Sequence, residues 1–301
     1  MGASRHPFST IALVGRYGSP GIAEPLRALA VFLTKRGHRI LLDTETAESL
    51  SGYPAAPLSQ LGREAQLAIV VGGDGTMLSI ARRLAPYDVP LIGVNQGRLG
   101  FLTDIALADM ESALSAMLAG AYVEEARTLL EAQLVRAAGG GEHALALNDV
   151  VVNRGSLGSM LDCAVAIDGR FVYAMRGDGL IVATPTGSTA YALSAQGPIV
   201  DPGVAAILLV PVAPHAFTNR PIAVRDSVTI EIQLLQGKDA GLHCDGQADF
   251  SLGEGDRVVV RRSSHRVRLL HPQNHDHFAM LRQKLHWSET PERLRLQADG
   301  R

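Results

Sequence analysis

Apolar runs and amphipathic stretches alternate along the first 124 residues. Thr10 to Val14 (TIALV) is a short buried-type run. From Ile22 the apolar positions Ile22, Leu26, Leu29 and Leu33 recur at helical spacing and predict one stripe of a helix that Gly37 terminates. Arg39 to Leu42 reads as a second strand, and the Gly/Pro/Ser-rich stretch SGYPAAPLSQ from Ser51 as a surface loop or flap. Leu67 to Val71 (LAIVV) is a wholly apolar strand. Behind it Met77, Ile80, Ala81 and Leu84 share a helical face that Pro86 closes. Pro90 to Val94 is the next strand and Leu107 to Leu118 the next helix. Strand and helix in alternation predict an α/β domain, Rossmann-like, with a mostly parallel sheet covered on both faces.

Beyond Glu124 the period shortens to two. Ala164 to Tyr173 predicts a hairpin turning at Asp168-Gly169, and Val228 to Leu234 alternates as a strand. Arg257 to Leu269 alternates too, around a turn expected at Ser263-Ser264. The expected organisation is an α/β domain over 1–124, a β-rich, β-sandwich-like domain over 125–275, and a closing helix over 276–301 that packs back on the first domain. Phe278, Leu281 and Leu285 give that helix its spacing.

Composition narrows the function. Hydrophobic residues at 47 % and charged residues at 19 % describe a globular chain. A net charge of −2 lacks the basic excess of a nucleic-acid binder. The one basic cluster, Arg261, Arg262, Arg266 and Arg268, lies on an alternating run and reads as a solvated sheet face. Two distant cysteines, Cys163 and Cys244, read as reduced thiols. No apolar run approaches the roughly 20 residues of a membrane span, so a soluble, cytoplasmic protein without a membrane partner is expected.

The first chemical signal is Gly72-Gly73-Asp74-Gly75-Thr76, straight after the apolar strand. A glycine loop delivered to a helix N-terminus offers backbone N–H groups and a favourable dipole to phosphate, with Gly72, Gly73, Gly75 and Thr76 as the loop. Asp74 beside phosphates would repel them unless it orients a hydroxyl, accepts its proton or holds a cation. A tight turn capped by Asp74 is the alternative for such a sequence in isolation. No Lys follows, so this is no Walker loop. Three further segments follow: Asn95 to Asp104 (NQGRLGFLTD), Leu147 to Val152 (LNDVVV) and Arg176 to Tyr191 (RGDGLIVATPTGSTAY). Each alone also suits an ordinary loop.

The glycine element resembles that shared by NAD kinases, diacylglycerol-type lipid kinases and phosphofructokinases. All four segments together, with Lys284-Leu285-His286-Trp287 closing the match, resemble NAD kinases of the bacterial type across residues 10 to 287. The resemblance implies transfer of the ATP γ-phosphoryl to the 2′-hydroxyl of the adenosine ribose of NAD. It implies Asp74 as the proton acceptor, with Gly75 beside it at the ligand. It places Phe101 against the dinucleotide, Asn148 and Asp149 at the adenosine, and Thr186, Thr189, Ala190, Tyr191 and Ser194 at ribose and base. Asp178 would reach the NAD site of a neighbouring subunit, Gln247 would border the site, and Ser159 is a weaker match. Arg176 could meet a phosphate or lie in a surface ion pair. A divalent cation, Mg²⁺ carried by ATP, is implied, as is a homodimer or homotetramer. No protein-made metal site is expected: no local carboxylate cluster looks like a metal cage, His275 and His277 are two apart without a third ligand at sensible spacing, and His215, His243 and His271 are scattered through the β-rich domain. A non-catalytic dinucleotide sensor and a lipid or sugar kinase on the same glycine motif are the alternatives.

Overall fold

The structure, a computed structural model, describes residues 8–15, 21–97, 100–155 and 160–287. Arg98 and Leu99 of the second segment, and Ser159, lie outside the described residues.

The N-terminal strands Thr10–Gly15, Arg39–Asp43, Leu67–Gly72 and Leu91–Asn95 pair in parallel, with Leu67–Gly72 between the first and the last. Every residue of Thr10–Gly15 and Leu67–Gly72 is buried, as expected for strands covered on both faces. One cover is the helix Ala23–Lys35, which buries Leu26, Leu29, Ala30 and Leu33, together with Met110–Leu118. The other is the pair Leu58–Glu64 and Asp74–Leu84. Gly37 adopts φ +86°, and the Gly37 N–H closes the first helix on the Thr34 carbonyl.

The stretch from Ser51 is not a free loop. It holds the edge strand Ala55–Ala56, paired with Leu42–Asp43, and then starts the helix Leu58–Glu64, whose Leu58 and Leu61 are buried. Its prolines hid this: Pro57 stands at the helix N-cap, where a missing N–H costs no intrahelical bond.

The β-rich half is a sandwich. One layer, in the order Ile222–Arg225, Ala206–Val212, Gly179–Ala183, Asp149–Asn153, Ala240–Cys244, Ala248–Leu252, is antiparallel throughout. The other is not separate from the first half. A single sheet of 12 strands runs from the hairpin Leu161–Ile167/Arg170–Gly177 to the parallel strands. The hairpin turns at Asp168 (φ +50°) and Gly169 (φ +73°), as its Asp-Gly pair predicts.

The seam is the 16-residue strand Arg257–Pro272, antiparallel to Tyr122–Val135 for its whole length and parallel to Leu91 at Leu269. The turn expected at Ser263-Ser264 is therefore wrong. The extra residues are taken up as a register shift between Arg262 and Arg266, a bulge of the kind that bends a strand without ending it. The limit at 124/125 falls inside Tyr122–Val135. Arg261, Arg262 and Arg268 face Glu131, Asp226 and Glu124 at 3.0, 2.7 and 2.6 Å. The closing helix spans His277–Leu285, capped by Asp276, and no described helix is long and apolar enough to cross a membrane.

Candidate active site

Strand Leu67–Gly72 enters the glycine element from the middle of the parallel sheet, and helix Asp74–Leu84 leaves it. Burial of Met77, Ile80, Ala81 and Leu84 holds that helix against the sheet, each large side chain contributing about 1.5–3 kcal/mol. The three glycines differ in purpose. A Cβ on Gly72 would come within 2.8 Å of the Thr76 hydroxyl, so Gly72 lets the first helical turn fold onto the strand. A Cβ on Gly73 or Gly75 would meet no protein atom within 4 Å, which leaves approach to the backbone open there.

Asp74 opens the helix, and its carboxylate is tethered from outside. Oδ2 accepts the Phe101 N–H at 2.7 Å, while Oδ1 accepts the Leu102 N–H at 3.0 Å and the Thr103 hydroxyl at 3.1 Å. Asn95 Nδ2 donates to that same hydroxyl at 2.7 Å. Gly100 permits this approach, because any Cβ there would overlap the Asp74 carboxylate. Asp74 lines a cavity of about 450 Å³ with Gly73, Asn95, Gln96, Gly97, Gly100 and Lys284. Lys284 comes from the closing helix, with Nζ 6.0 Å from the Phe101 ring centre. Phe101 therefore serves twice, through its N–H to Asp74 and its ring beside Lys284.

A second cavity, of about 360 Å³, is walled by Asn148, Asp149, Ala190, Tyr191, His243 and Asp245 among others. Its organiser is Asp245, whose carboxylate accepts the N–H groups of Leu147, Asn148 and Asp149 at 2.9, 2.7 and 3.2 Å and lies 3.6 Å from Arg82. Burial, and then the Asp245 charge, push the Asp149 carboxyl up to about 7. The Thr184–Gly187 turn is stitched to the same chain: Thr184 N donates to Asn148 O at 2.9 Å, and the Thr184 hydroxyl donates to Leu147 O at 2.6 Å. Gly187 lies so close to Asn148 that a Cβ would strike the Asn148 carbonyl.

Hydrogen bonds join the helix of Asp74 to the segment of Asp245. Gln247 Nε2 donates to Gly75 O at 2.9 Å, and Arg82, on the Asp74 helix, donates to Cys244 O at 3.0 Å and Gln247 Oε1 at 3.2 Å. The structure thus links Phe101 to Asp74 and Gln247 to Gly75 by hydrogen bonds, and sets Asn148, Asp149, Ala190 and Tyr191 around the second cavity. Thr186 is buried, its hydroxyl accepting from Arg127 at 3.2 Å. The Thr189 hydroxyl is turned inward to Thr186 O at 3.2 Å, and Ser194 is exposed at the end of the short helix Tyr191–Ser194. Arg176 and Asp178 stand apart, in ion pairs with Asp162 at 3.3 Å and Arg154 at 2.6 Å. For Arg176 the surface pairing is the alternative that is observed.

Three features escaped the sequence pattern. Lys284 and Asp245 are two of them. The third is the ligand missing beside the histidines: Asp104 Oδ2 lies 2.8 Å from both His271 Nδ1 and His275 Nδ1, from 167 and 171 residues away. Burial raises the Asp104 carboxyl, but hydrogen bonds from the two imidazoles outweigh it and bring it to about 2. His271 stays above its ordinary value: burial opposes its charge, and Asp104 and Glu125 on either side outweigh burial.

The chain matches the ATP-NAD kinase N-terminal domain over residues 11–122 and the ATP-NAD kinase C-terminal domain over 147–272. It is 54 % identical over 288 residues to an NAD kinase of Burkholderia thailandensis, covering 95 % of this chain and 96 % of that one. To an NAD kinase of Cupriavidus pinatubonensis it is 52 % identical over 291 residues, covering 96 % and 95 %. Among solved structures, an NAD kinase from Archaeoglobus fulgidus in complex with ATP superposes with a TM-score of 0.74 at 27 % identity, covering 92 % of this chain and 98 % of that one. Yeast NADH kinase complexed with NADH gives 0.88 at 23 % identity over 97 % and 94 %, a likeness of fold.

Proposed function

This chain belongs to the NAD kinase family, and from that premise we propose how its two cavities divide the work of phosphorylating NAD. The reaction moves the γ-phosphoryl of ATP to the 2′-hydroxyl of the adenosine ribose of NAD, giving NADP and ADP. The adenosine half of NAD sits in the cavity of Asn148, Asp149 and Tyr191. Its ribose reaches past the Gln247–Gly75 contact toward Asp74. The triphosphate, entering as MgATP, lies along Gly73, Gly75 and the helix N-terminus, with Lys284 as its countercharge.

In the transfer, the ribose 2′-oxygen bonds to the γ-phosphorus while the bond from that phosphorus to the β,γ-bridging oxygen breaks, and ADP leaves with the electron pair. A carboxylate is too weak a base to ionise a sugar hydroxyl in advance. Asp74 orients the hydroxyl and takes its proton late, as the oxygen–phosphorus bond forms. Its three hydrogen-bond donors fit that task, since they fix the carboxylate and leave it ill placed as one ligand of a metal cage. Asp149, held near neutrality, can donate to or accept from the ribose and base edge.

The observation that carries this reading is the tethered Asp74 on a glycine loop whose Gly75 carbonyl is hydrogen-bonded by Gln247, two residues from the Asp245 that lines the nucleoside-type cavity. The same reading places the enzyme in the cytoplasm as a homodimer or homotetramer, with Asp178 reaching a neighbour's NAD. The exposed Phe171 and Val172 on the edge strand Arg170–Gly177 support a covered edge in such an assembly.

The test is NADP formation from NAD and MgATP by the purified chain beside Asp74→Asn. A fall in kcat of about 10²–10⁴ with NAD binding retained is expected. If the parent binds NAD and forms no NADP with any donor, the catalytic assignment fails and a dinucleotide-binding module takes its place.

A further inference from the structure

Asp104, His271 and His275 present one ligand atom each within 4.8 Å of one another, the one such group of metal-type ligands among the described residues. They come from three places: the loop after Thr103, the end of strand Arg257–Pro272, and the approach to helix His277–Leu285. None of the three lines the cavity of Asp74 or that of Asn148. Their side chains are 8, 2 and 13 % exposed. The two imidazoles stack at 4.0 Å with 22° between planes, so both Nδ1 atoms turn the same way, onto Asp104.

Hydrogen bonding leaves this cluster incomplete. Asp104 Oδ1, His271 Nε2 and His275 Nε2 are buried with no hydrogen-bond partner among the described residues. A buried carboxylate oxygen left in that state is costly. Glu125 Oε2 lies 3.3 Å from His271 Nε2 and is itself held by Arg127 at 2.6 Å. Carboxylate, imidazole and then a further ligand is the arrangement by which proteins orient a metal-bound histidine.

We propose that Asp104, His271 and His275 bind one divalent transition-metal ion, of the class that Zn²⁺ and Co²⁺ represent, separate from the magnesium of MgATP. Two imidazole nitrogens and one carboxylate oxygen suit such an ion better than Mg²⁺, which prefers oxygen ligands. Ligand atoms around a tetrahedral zinc stand roughly 3.3 Å apart, given bonds of about 2.0–2.1 Å. The present 2.8 Å contacts must therefore open by about half an ångström, and the two stacked rings must tilt so that their in-plane Nδ1 lone pairs converge. Each imidazole presents Nδ1 as a lone pair. A neutral ring does so by carrying its proton on Nε2, a doubly protonated one by releasing a proton to solvent. The resulting His271 Nε2–H is then received by Glu125. A cavity of about 500 Å³ that includes Asp104, Pro272 and Asn274 in its wall gives the ion an entry path and room for a water as fourth ligand. The bound ion would tie the loop that holds Asp74 to the base of the helix that carries Lys284.

The experiment uses the full chain stripped with chelator and titrated with Zn²⁺ or Co²⁺ in excess Mg²⁺, following metal per chain after dialysis and the cobalt d–d absorption. One equivalent is expected, with the visible bands of tetrahedral nitrogen and oxygen coordination. His275→Phe keeps a ring stacked on His271 and removes the ligand, and should weaken Zn²⁺ binding about 100-fold or more while NADP formation shows that it folds. Glu125→Gln should weaken binding about 10–100-fold. His143→Gln, at an exposed histidine paired with Glu131, should change nothing. Absence of a stoichiometric ion in the parent overturns the site, as does equal Zn²⁺ affinity in the parent and His275→Phe.

Discussion

The two cavities beside helix Asp74–Leu84 are built in opposite ways. The Asp74 cavity is made of glycines and loop amides, and its charged groups, Asp74 and Lys284, sit at the ends of helices. The Asn148 cavity is made at strand ends, where one buried carboxylate, Asp245, pins three consecutive backbone N–H groups. The first fixes a charge at a cavity wall, with the Phe101 and Leu102 amides holding the Asp74 carboxylate. The second fixes shape, with its polar atoms already committed to the scaffold. Damage to the first should appear in kcat and in the MgATP terms, and damage to the second in NAD affinity and in stability.

The sharpest way to break this contrast after Asp74 itself is Gly100→Ala. The methyl group would occupy the space of the Asp74 carboxylate, so the carboxylate or the Gly100–Thr103 loop must move. A displacement near 1 Å in a positioning group costs about 10² in rate. We expect kcat to fall by about that factor with the Kd for NAD within about twofold of the parent. Equal losses in both would mean that the loop serves recognition as much as chemistry.

Lys284→Ala should do less, and to the other substrate. A charge-assisted contact to a phosphate contributes roughly 1.5–3 kcal/mol, so KM for MgATP should rise about tenfold or more while KM for NAD stays close to the parent's. Steady-state kinetics with each substrate varied in turn separates the two. A rise in KM for NAD alone would put Lys284 against the dinucleotide and remove it from the triphosphate.

Legibility followed the range of the interactions. Strand Leu67–Gly72 and its helix could be read because burial on both faces leaves an unbroken apolar run, and an apolar face at helical spacing follows it. Asp168-Gly169 was readable because its left-handed dihedrals are a property of two residues. Ser263-Ser264 misled because small polar residues mark turns and bulges alike, and only pairing with Tyr122–Val135 distinguishes the two. Asp245 was not readable as an organiser, since what it holds are main-chain amides 96–98 residues earlier, which carry no side-chain signature. Lys284 sits in an ordinary amphipathic helix, and its meaning comes from where that helix lands. Asp104 has no metal-like spacing to His271 or His275, because the long strand Arg257–Pro272 does the joining.

The smallest effect, and a direct probe of the second cavity's construction, is the pH dependence of Asp149→Asn. Burial first, and the Asp245 charge second, raise Asp149 from 3.8 to about 7 on folding. Between those values the folded chain keeps a proton that the unfolded chain has lost, so the parent's stability declines as pH rises through the window and stays lower above it. An amide has no charge to suppress. Asp149→Asn should therefore melt higher than the parent at about pH 8, by on the order of a few degrees, and the difference should close toward about pH 4. Its NAD affinity should be reduced at about pH 8, where the amide cannot supply the pair of acceptor oxygens of the ionised carboxylate, and the loss should shrink toward about pH 4. Thermal melts across the range decide the matter. A variant less stable than the parent at every pH would mean that Asp149 is ionised and well partnered in the folded chain. The nucleoside cavity would then hold a working charge, and the division between a chemical cavity and a shape cavity would have to be redrawn.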